Sequence, residues 1–285
     1  MPVGGTIISS RYIIDEGREL SPRKDSMNKI AEDALSKVPA VTLGFWIIKI
    51  AATTLGETGG DAVTMTLGLG YLIGTMIFAI LLVIAVTAQI RARRFHPFLY
   101  WAVIVATTTV GTTLADFCDR SLGIGYVGGA SILFTLLMAT LGIWYWSLGA
   151  IAIDHITLPR VEIFYWATIM FSQTLGTALG DFLADTTGLG YEGGALVFGA
   201  ALAVVAALYF YTAVSRAALF WAAFILTRPL GATVGDFLDK PLNHGGLALG
   251  RFDASAVLAV AIIAGILLIP QRAGLHPVYA KRNGS

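Results

Sequence analysis

Four times along this chain a tryptophan is followed ten residues later by a glycine and five residues after that by an aspartate. The copies are Trp46–Gly56–Asp61, Trp101–Gly111–Asp116, Trp166–Gly176–Asp181 and Trp221–Gly231–Asp236. Each tryptophan directly follows another aromatic residue: Phe45, Tyr100, Tyr165 or Phe220. A spacing kept without a gap through four copies makes each copy the same supersecondary unit. Nine residues past each aspartate stands a further glycine, Gly70, Gly125, Gly190 or Gly245, and a tyrosine follows the first three. The fourth copy departs there, reading NHGG where the others read GLGY or GIGY.

A second apolar run of roughly 20 residues follows each turn, long enough to cross a bilayer. The unit is therefore helix, glycine-rich turn, helix. The spans fall at 40–60, 71–90, 98–116, 126–147, 161–183, 193–213, 217–237 and 250–269. Only 13% of residues are charged and 56% are hydrophobic, against about 25% charged in soluble domains. The expected fold is an all-α polytopic membrane protein: eight transmembrane helices as four tandem helical hairpins around a pseudo-symmetry axis along the membrane normal. An even number of spans per copy makes every copy enter from the same side, which demands rotation rather than inversion between them.

The domain plan is a polar N-terminal extension at 1–39, an eight-span domain at 40–270 and a tail at 271–285. The repeats occupy about 40–90, 98–147, 161–213 and 217–269. A short amphipathic helix is expected at 25–38. Lys and Arg set the orientation. The extension, Arg91, Arg93, Arg94, Arg160, Arg216, Arg272, Lys281 and Arg282 share one side, against Arg120, Lys240 and Arg251 on the other. Both termini are thus expected in the cytoplasm, with Trp46, Trp101, Trp166 and Trp221 as interface anchors and Lys49 snorkelling to the same interface.

At a rise of 1.5 Å per residue the repeat glycine lies ~15 Å and the aspartate ~22 Å beyond its tryptophan. Asp61, Asp116, Asp181 and Asp236 therefore share one depth in the membrane. Glu57, Asp119, Asp185 and Asp239 stand three or four residues from them, on the same helix face. Eight acids face Arg120, Arg228 and Lys240. An aspartate at a helix centre costs ~2.5–3.5 kcal/mol on insertion scales, so a partner is required: a proton, a metal cation or an arginine. Threonines and Gln173 precede the motifs, and oxygen-only donors suit hard cations such as Mn²⁺. Gly56, Gly111, Gly176 and Gly231 serve either as hinges or as helix-packing points; the hinge alternative, with Pro229, would free carbonyls for an ion.

Other chemistries lack support. The net charge of +1 and the missing basic stripe exclude a nucleic-acid surface. A single cysteine, Cys118, excludes a disulfide within the chain or a Cys-based zinc cluster. No Walker motif, nucleophile elbow, HExxH or CxxC is present, so an enzyme is not expected and no cofactor is called for.

With its four tandem two-span copies and marked tryptophans, the chain resembles a bacterial membrane family defined by a repeat of unknown function, domain of unknown function 347. The resemblance covers residues 40–270 and implies a multi-pass protein of the bacterial inner membrane. GETGGD at 56–61 is also similar to the Glu-x-Gly-Asp repeats of cation/proton exchangers. The leading expectation is a secondary transporter of a divalent metal cation, exporting it against protons. Its ion site is Asp61, Asp116, Asp181 and Asp236, its vestibule Glu57, Asp119, Asp185 and Asp239. The partners are then the bilayer and the cation, with self-association compatible. Two alternatives are a scaffold or sensor with structural aspartates and a cytoplasmic partner, and an embedded enzyme acting on a lipid or quinone.

Overall fold

A computed structural model describes residues 35–149, 151 and 159–275. Most of the N-terminal extension, the middle of the 147–160 connection and the end of the tail lie outside the described residues. So does the amphipathic helix expected at 25–38, except that its last residues form a strand. The described chain is all-α apart from one two-stranded ribbon. Its long helices are α1 (Leu43–Asp61), α2 (Gly70–Arg91), α3 (Pro97–Asp116), α4 (Gly125–Leu148), α5 (Pro159–Asp181), α6 (Gly190–Tyr211), α7 (Arg216–Asp239) and α8 (Arg251–Leu268). Strands β1 (Leu35–Pro39) and β2 (Ala273–Leu275) pair antiparallel.

Local chemistry sets the helix boundaries. The Thr42 hydroxyl accepts from the Phe45 amide to start α1, and Pro97 and Pro159 open α3 and α5 where a missing N–H costs nothing. Past the aspartates of the first three copies the helix widens into a five-residue π segment: Ala62–Thr66, Phe117–Ser121 and Phe182–Thr186. The chain then turns through paired left-handed glycines, Gly68 and Gly70, Gly123 and Gly125, Gly188 and Gly190. A Cβ would strain every one of those positions. In the fourth copy α7 stays α-helical to Asp239, and Gly245 and Ala248 take positive φ in the turn.

The first helices of the copies, α1, α3, α5 and α7, form a closed inner ring in which each packs on the next and α7 returns to α1. The second helices form an outer layer, but not as hairpins. Instead α2 packs on α3, α4 on α5, α6 on α7 and α8 on α1, so each copy clasps its successor. A hairpin would leave the seams between copies held by the inner ring alone. This exchange binds every seam twice.

Two features repeat around the ring. Each aromatic residue before a tryptophan meets the tryptophan of the next copy. Phe45–Trp101, Tyr100–Trp166, Tyr165–Trp221 and Phe220–Trp46 have ring centroids 5.4, 6.0, 6.0 and 5.8 Å apart. Trp101, Trp166 and Trp221 are consequently buried in this layer rather than presented to lipid as anchors. Deeper in, the residue seven past each tryptophan lies on the glycine of the preceding copy: Thr108 on Gly56, Gln173 on Gly111, Arg228 on Gly176 and Thr53 on Gly231. All four helices run unbroken through these glycines, and α7 through Pro229 as well. The glycines therefore pack helices within continuous helical segments.

Six helical stretches are long and apolar enough to cross a membrane: Gly70–Arg91, Pro97–Ser121, Gly125–Leu148, Gly190–Tyr211, Arg216–Asp239 and Arg251–Leu268. The outer helices are barely covered by protein, and Met76, Ile80, Val83, Ile84, Val204 and Val260 stand open on them. Apolar surface this extensive is foreign to a water-soluble monomer and marks a membrane protein.

Gly111→Val should lower stability by ~1–3 kcal/mol, because its Cβ would meet the Gln173 carbonyl carbon and the Thr174 amide nitrogen at 3.0 Å. Gly142→Ala, where a Cβ meets nothing within 4 Å, should gain up to ~1 kcal/mol from helix propensity. Thermal unfolding of both variants in detergent checks the pair.

Candidate functional site

Viewed along the ring axis, side chains every four residues from each inner helix point toward the centre. Such an i±4 row is the ridge by which steeply crossed helices interdigitate. One of its layers contains Glu57, Thr112, Thr177 and Ala232, the residue eleven past each tryptophan. The Arg228 Nη2 amine donates to Glu57 Oε2 at 2.9 Å and also to the hydroxyls of Thr112 and Thr177. Glu57 and Arg228 are both buried. The expected carboxylate partner of Arg228 is thus Glu57, which stands inside the ring instead of in an outer vestibule.

One turn further lies the aspartate layer, and there the fourfold pattern gives way to two pairs. Asp61, Asp116, Asp181 and Asp236 are all buried. Lys240 Nζ joins Asp61 Oδ2 at 2.7 Å and Asp236 Oδ1 at 2.9 Å. Arg120 joins Asp116 Oδ1 at 2.8 Å and Asp181 Oδ2 at 3.4 Å. Lys240 and Arg120 occupy the same repeat position, four residues after the aspartate, in copies four and two. Each also reaches the aspartate of the following copy. At that position copies one and three carry Met65 and Asp185. The four aspartates are therefore held as two base-bridged pairs, not as one open ring.

The two pairs have different surroundings. Beside Lys240, Asp61, Asp236 and Asp239 each bring one carboxylate oxygen within 4.8 Å of the others. Arg251, the first residue of α8, donates from Nε to Asp239 Oδ2 at 3.0 Å and stands 3.7 Å from Asp61 Oδ2. Burial by itself would depress the Lys240 ammonium, but Asp236, Asp61 and Asp239 outweigh it and hold its pKa above the ordinary lysine value. Beside Arg120, the half-exposed Asp185 accepts from Tyr126 Oη at 3.0 Å and Tyr191 Oη at 3.1 Å. Asp119 is buried against Gly129, and neither of its oxygens has a hydrogen-bond partner among the described residues.

Several participants escape a reading of the sequence. Arg251 lies twelve residues from the carboxylate it bonds, and only its place at the start of a helix beside an acidic turn hints at it. Thr112 and Thr177 are ordinary helix threonines until the ring closes. Lys49 does not snorkel: it is fully buried, and its Nζ lies 4.1 Å from the Phe224 ring centroid.

A family model described as "Repeat of Unknown Function (DUF347)" matches the chain four times, at residues 44–95, 99–149, 164–215 and 219–272. The chain belongs to this family. No curated protein and no solved structure matches it.

Breaking a buried pair strands the remaining charge, at ~3–5 kcal/mol. Glu57→Gln should destabilise the protein by about that much, and Glu57→Gln combined with Arg228→Met should recover a large part. Thermal unfolding of the two single variants and the double variant measures the coupling.

Proposed function

We propose that this protein is a secondary transporter of a divalent, hard metal cation coupled to protons, with its cation site at Asp61, Asp236 and Asp239. The observation that carries this reading is three buried carboxylates within 4.8 Å of one another around a tethered ammonium. All donors are oxygens, as Mn²⁺-like ions prefer. The Lys240 ammonium bonds two of the carboxylates that would ligate the cation, Asp61 and Asp236, while Asp239 bonds Arg251. A metal ion displaces it by outbidding one positive charge with two, and the ammonium returns when the ion leaves. Carboxylates must be ionised to bind metal, so occupancy and protonation oppose each other and couple the two fluxes. Asp116, Asp181 and Asp185, bridged by Arg120, form the second half of the pathway. Export is the direction in which this coupling runs in our proposal.

The reading extends to topology. All eight helices cross the membrane, because α1 and α5 occupy ring positions equivalent to those of α3 and α7. Their lower hydropathy reflects side chains that face the ring, not lipid. The ring axis then runs along the membrane normal, with both termini cytoplasmic by the Lys/Arg bias and the bacterial inner membrane as the family's setting. Residues 1–39 and 271–285 are the cytoplasmic flanks, and no catalytic step is assigned.

Reconstituted vesicles with a Mn²⁺ gradient and an internal pH dye should show proton counterflow. Asp61→Asn and Asp236→Asn should each reduce it by roughly 100-fold, in line with the loss of a buried ligand worth ~2–5 kcal/mol. Mn²⁺ affinity should fall as pH is lowered, because protons compete for the same oxygens. Unchanged Mn²⁺ and proton flux in both variants would sink the proposal.

A further inference from the structure

The axis also carries a cluster that the cation site does not use. It lies on the tryptophan side of Glu57, in the layers three and seven residues past each tryptophan. Lys49 belongs to the first layer, with Ile104, Ile169 and Phe224, and Thr53, Thr108, Gln173 and Arg228 make up the second. All eight are fully buried. Lys49 Nζ lies over the Phe224 ring, one helical turn from Arg228 on α7. Among the described residues Lys49 Nζ, Arg228 Nε and Nη1, Gln173 Nε2 and Oε1, and Thr108 Oγ1 have no hydrogen-bond partner.

Buried polar groups are almost always satisfied, by protein or by a bound species. The inventory here indicates which species. A lysine ammonium has three donors, arginine Nε and Nη1 add three more, and the Gln173 amide two. Among these side-chain atoms only Gln173 Oε1 and the Thr108 hydroxyl oxygen are free to accept. Donors greatly exceed acceptors. Water brings as many donors as acceptors and leaves that imbalance in place. With Lys49 protonated, charge points the same way, since two buried cations then face one buried acid, Glu57, already bonded to Arg228. The aspartate layer is no substitute: Asp61 is twelve residues beyond Lys49 on one helix, ~18 Å along its axis.

We propose that this cluster is a binding site for a single small monovalent anion of halide size, held between the Lys49 ammonium and the free edge of the Arg228 guanidinium. The Gln173 amide and the Thr108 hydroxyl complete its shell. An acceptor-only ion of one negative charge meets both the donor excess and the residual positive charge. The flanking Ile104, Ile169 and Phe224 keep the layer apolar apart from Lys49, which suits a dehydrated halide better than a bulky or divalent oxyanion. The site is independent of the cation reading, and either can fail without the other.

Equilibrium dialysis of the purified full chain against radioactive chloride in gluconate buffer tests this. The wild type should bind saturably with a stoichiometry of one chloride per chain, with sulfate unable to compete. Lys49→Met should weaken binding by roughly 30-fold or more, the scale for truncating one member of a buried charge pair, while Lys49→Arg should retain it. Bromide-soaked crystals of the wild type should show an anomalous peak between Lys49 Nζ and Arg228, a readout that needs no variant to fold. Absence of saturable chloride binding, unchanged affinity in Lys49→Met, or no bromide at this position would overturn the proposal.

Discussion

Everything else in this structure depends on how closely the inner helices approach at the repeat glycines. A Cβ on Gly56, Gly176 or Gly231 would lie within 2.4 Å of an atom of the next copy, and one on Gly111 would press on backbone. Without side chains there, each inner helix lays its neighbour's residue directly against its own backbone. That neighbour can then be a threonine, a glutamine or an arginine without changing the spacing of the ring. Close approach by glycine thus does two things at once. It closes the barrel of helices and delivers polar side chains to the axis.

The backbone is fourfold, but its chemistry is twofold. The aromatic layer and the glycine contacts repeat in every copy, whereas the bases four residues past the aspartate exist only in copies two and four. Each of these bases reaches forward to the next copy, which converts four equivalent acids into two clamps. The clamps are unlike. Arg120 is a planar fork suited to holding two carboxylates at once, and Lys240 is a compact point charge. The third carboxylate, Asp239, and Arg251 gather only on the Lys240 side. A helix that ends without a π segment accompanies this difference, since α7 keeps α geometry through Asp236 to Asp239.

Much of this was legible in the residues. The gapless Trp–Gly–Asp spacing announced four equivalent units, a common depth for the acids and glycines suited to packing. The order of contacts was not legible. Nothing local in α2 says whether it will fold back on α1 or reach α3, because both surfaces are apolar helices of similar length. Lys49 read as an interface residue because its distance from Trp46 is short. In the ring that same distance carries it to the axis, under the aromatic layer instead of beside it. Trp101, Trp166 and Trp221 misled for a related reason, since an indole suits an interface and a packed aromatic ring equally well.

The sequence by itself determined the repeat, the membrane character, the helix ends and the residues able to carry charge inside the ring. These follow from composition, periodicity and turn chemistry, all of which act within a few residues. Only the tertiary structure decided which charge meets which: Lys240 with Asp61, Arg120 with Asp181, Arg228 with Glu57, and Lys49 with no acid among the described residues. Those partnerships join residues from 61 to 179 positions apart. Lys240–Asp61 and Arg228–Glu57 exist because the ring closes α7 onto α1, and Arg120–Asp181 because α3 packs on α5. Closure depends on how four helix surfaces fit together rather than on any one of them.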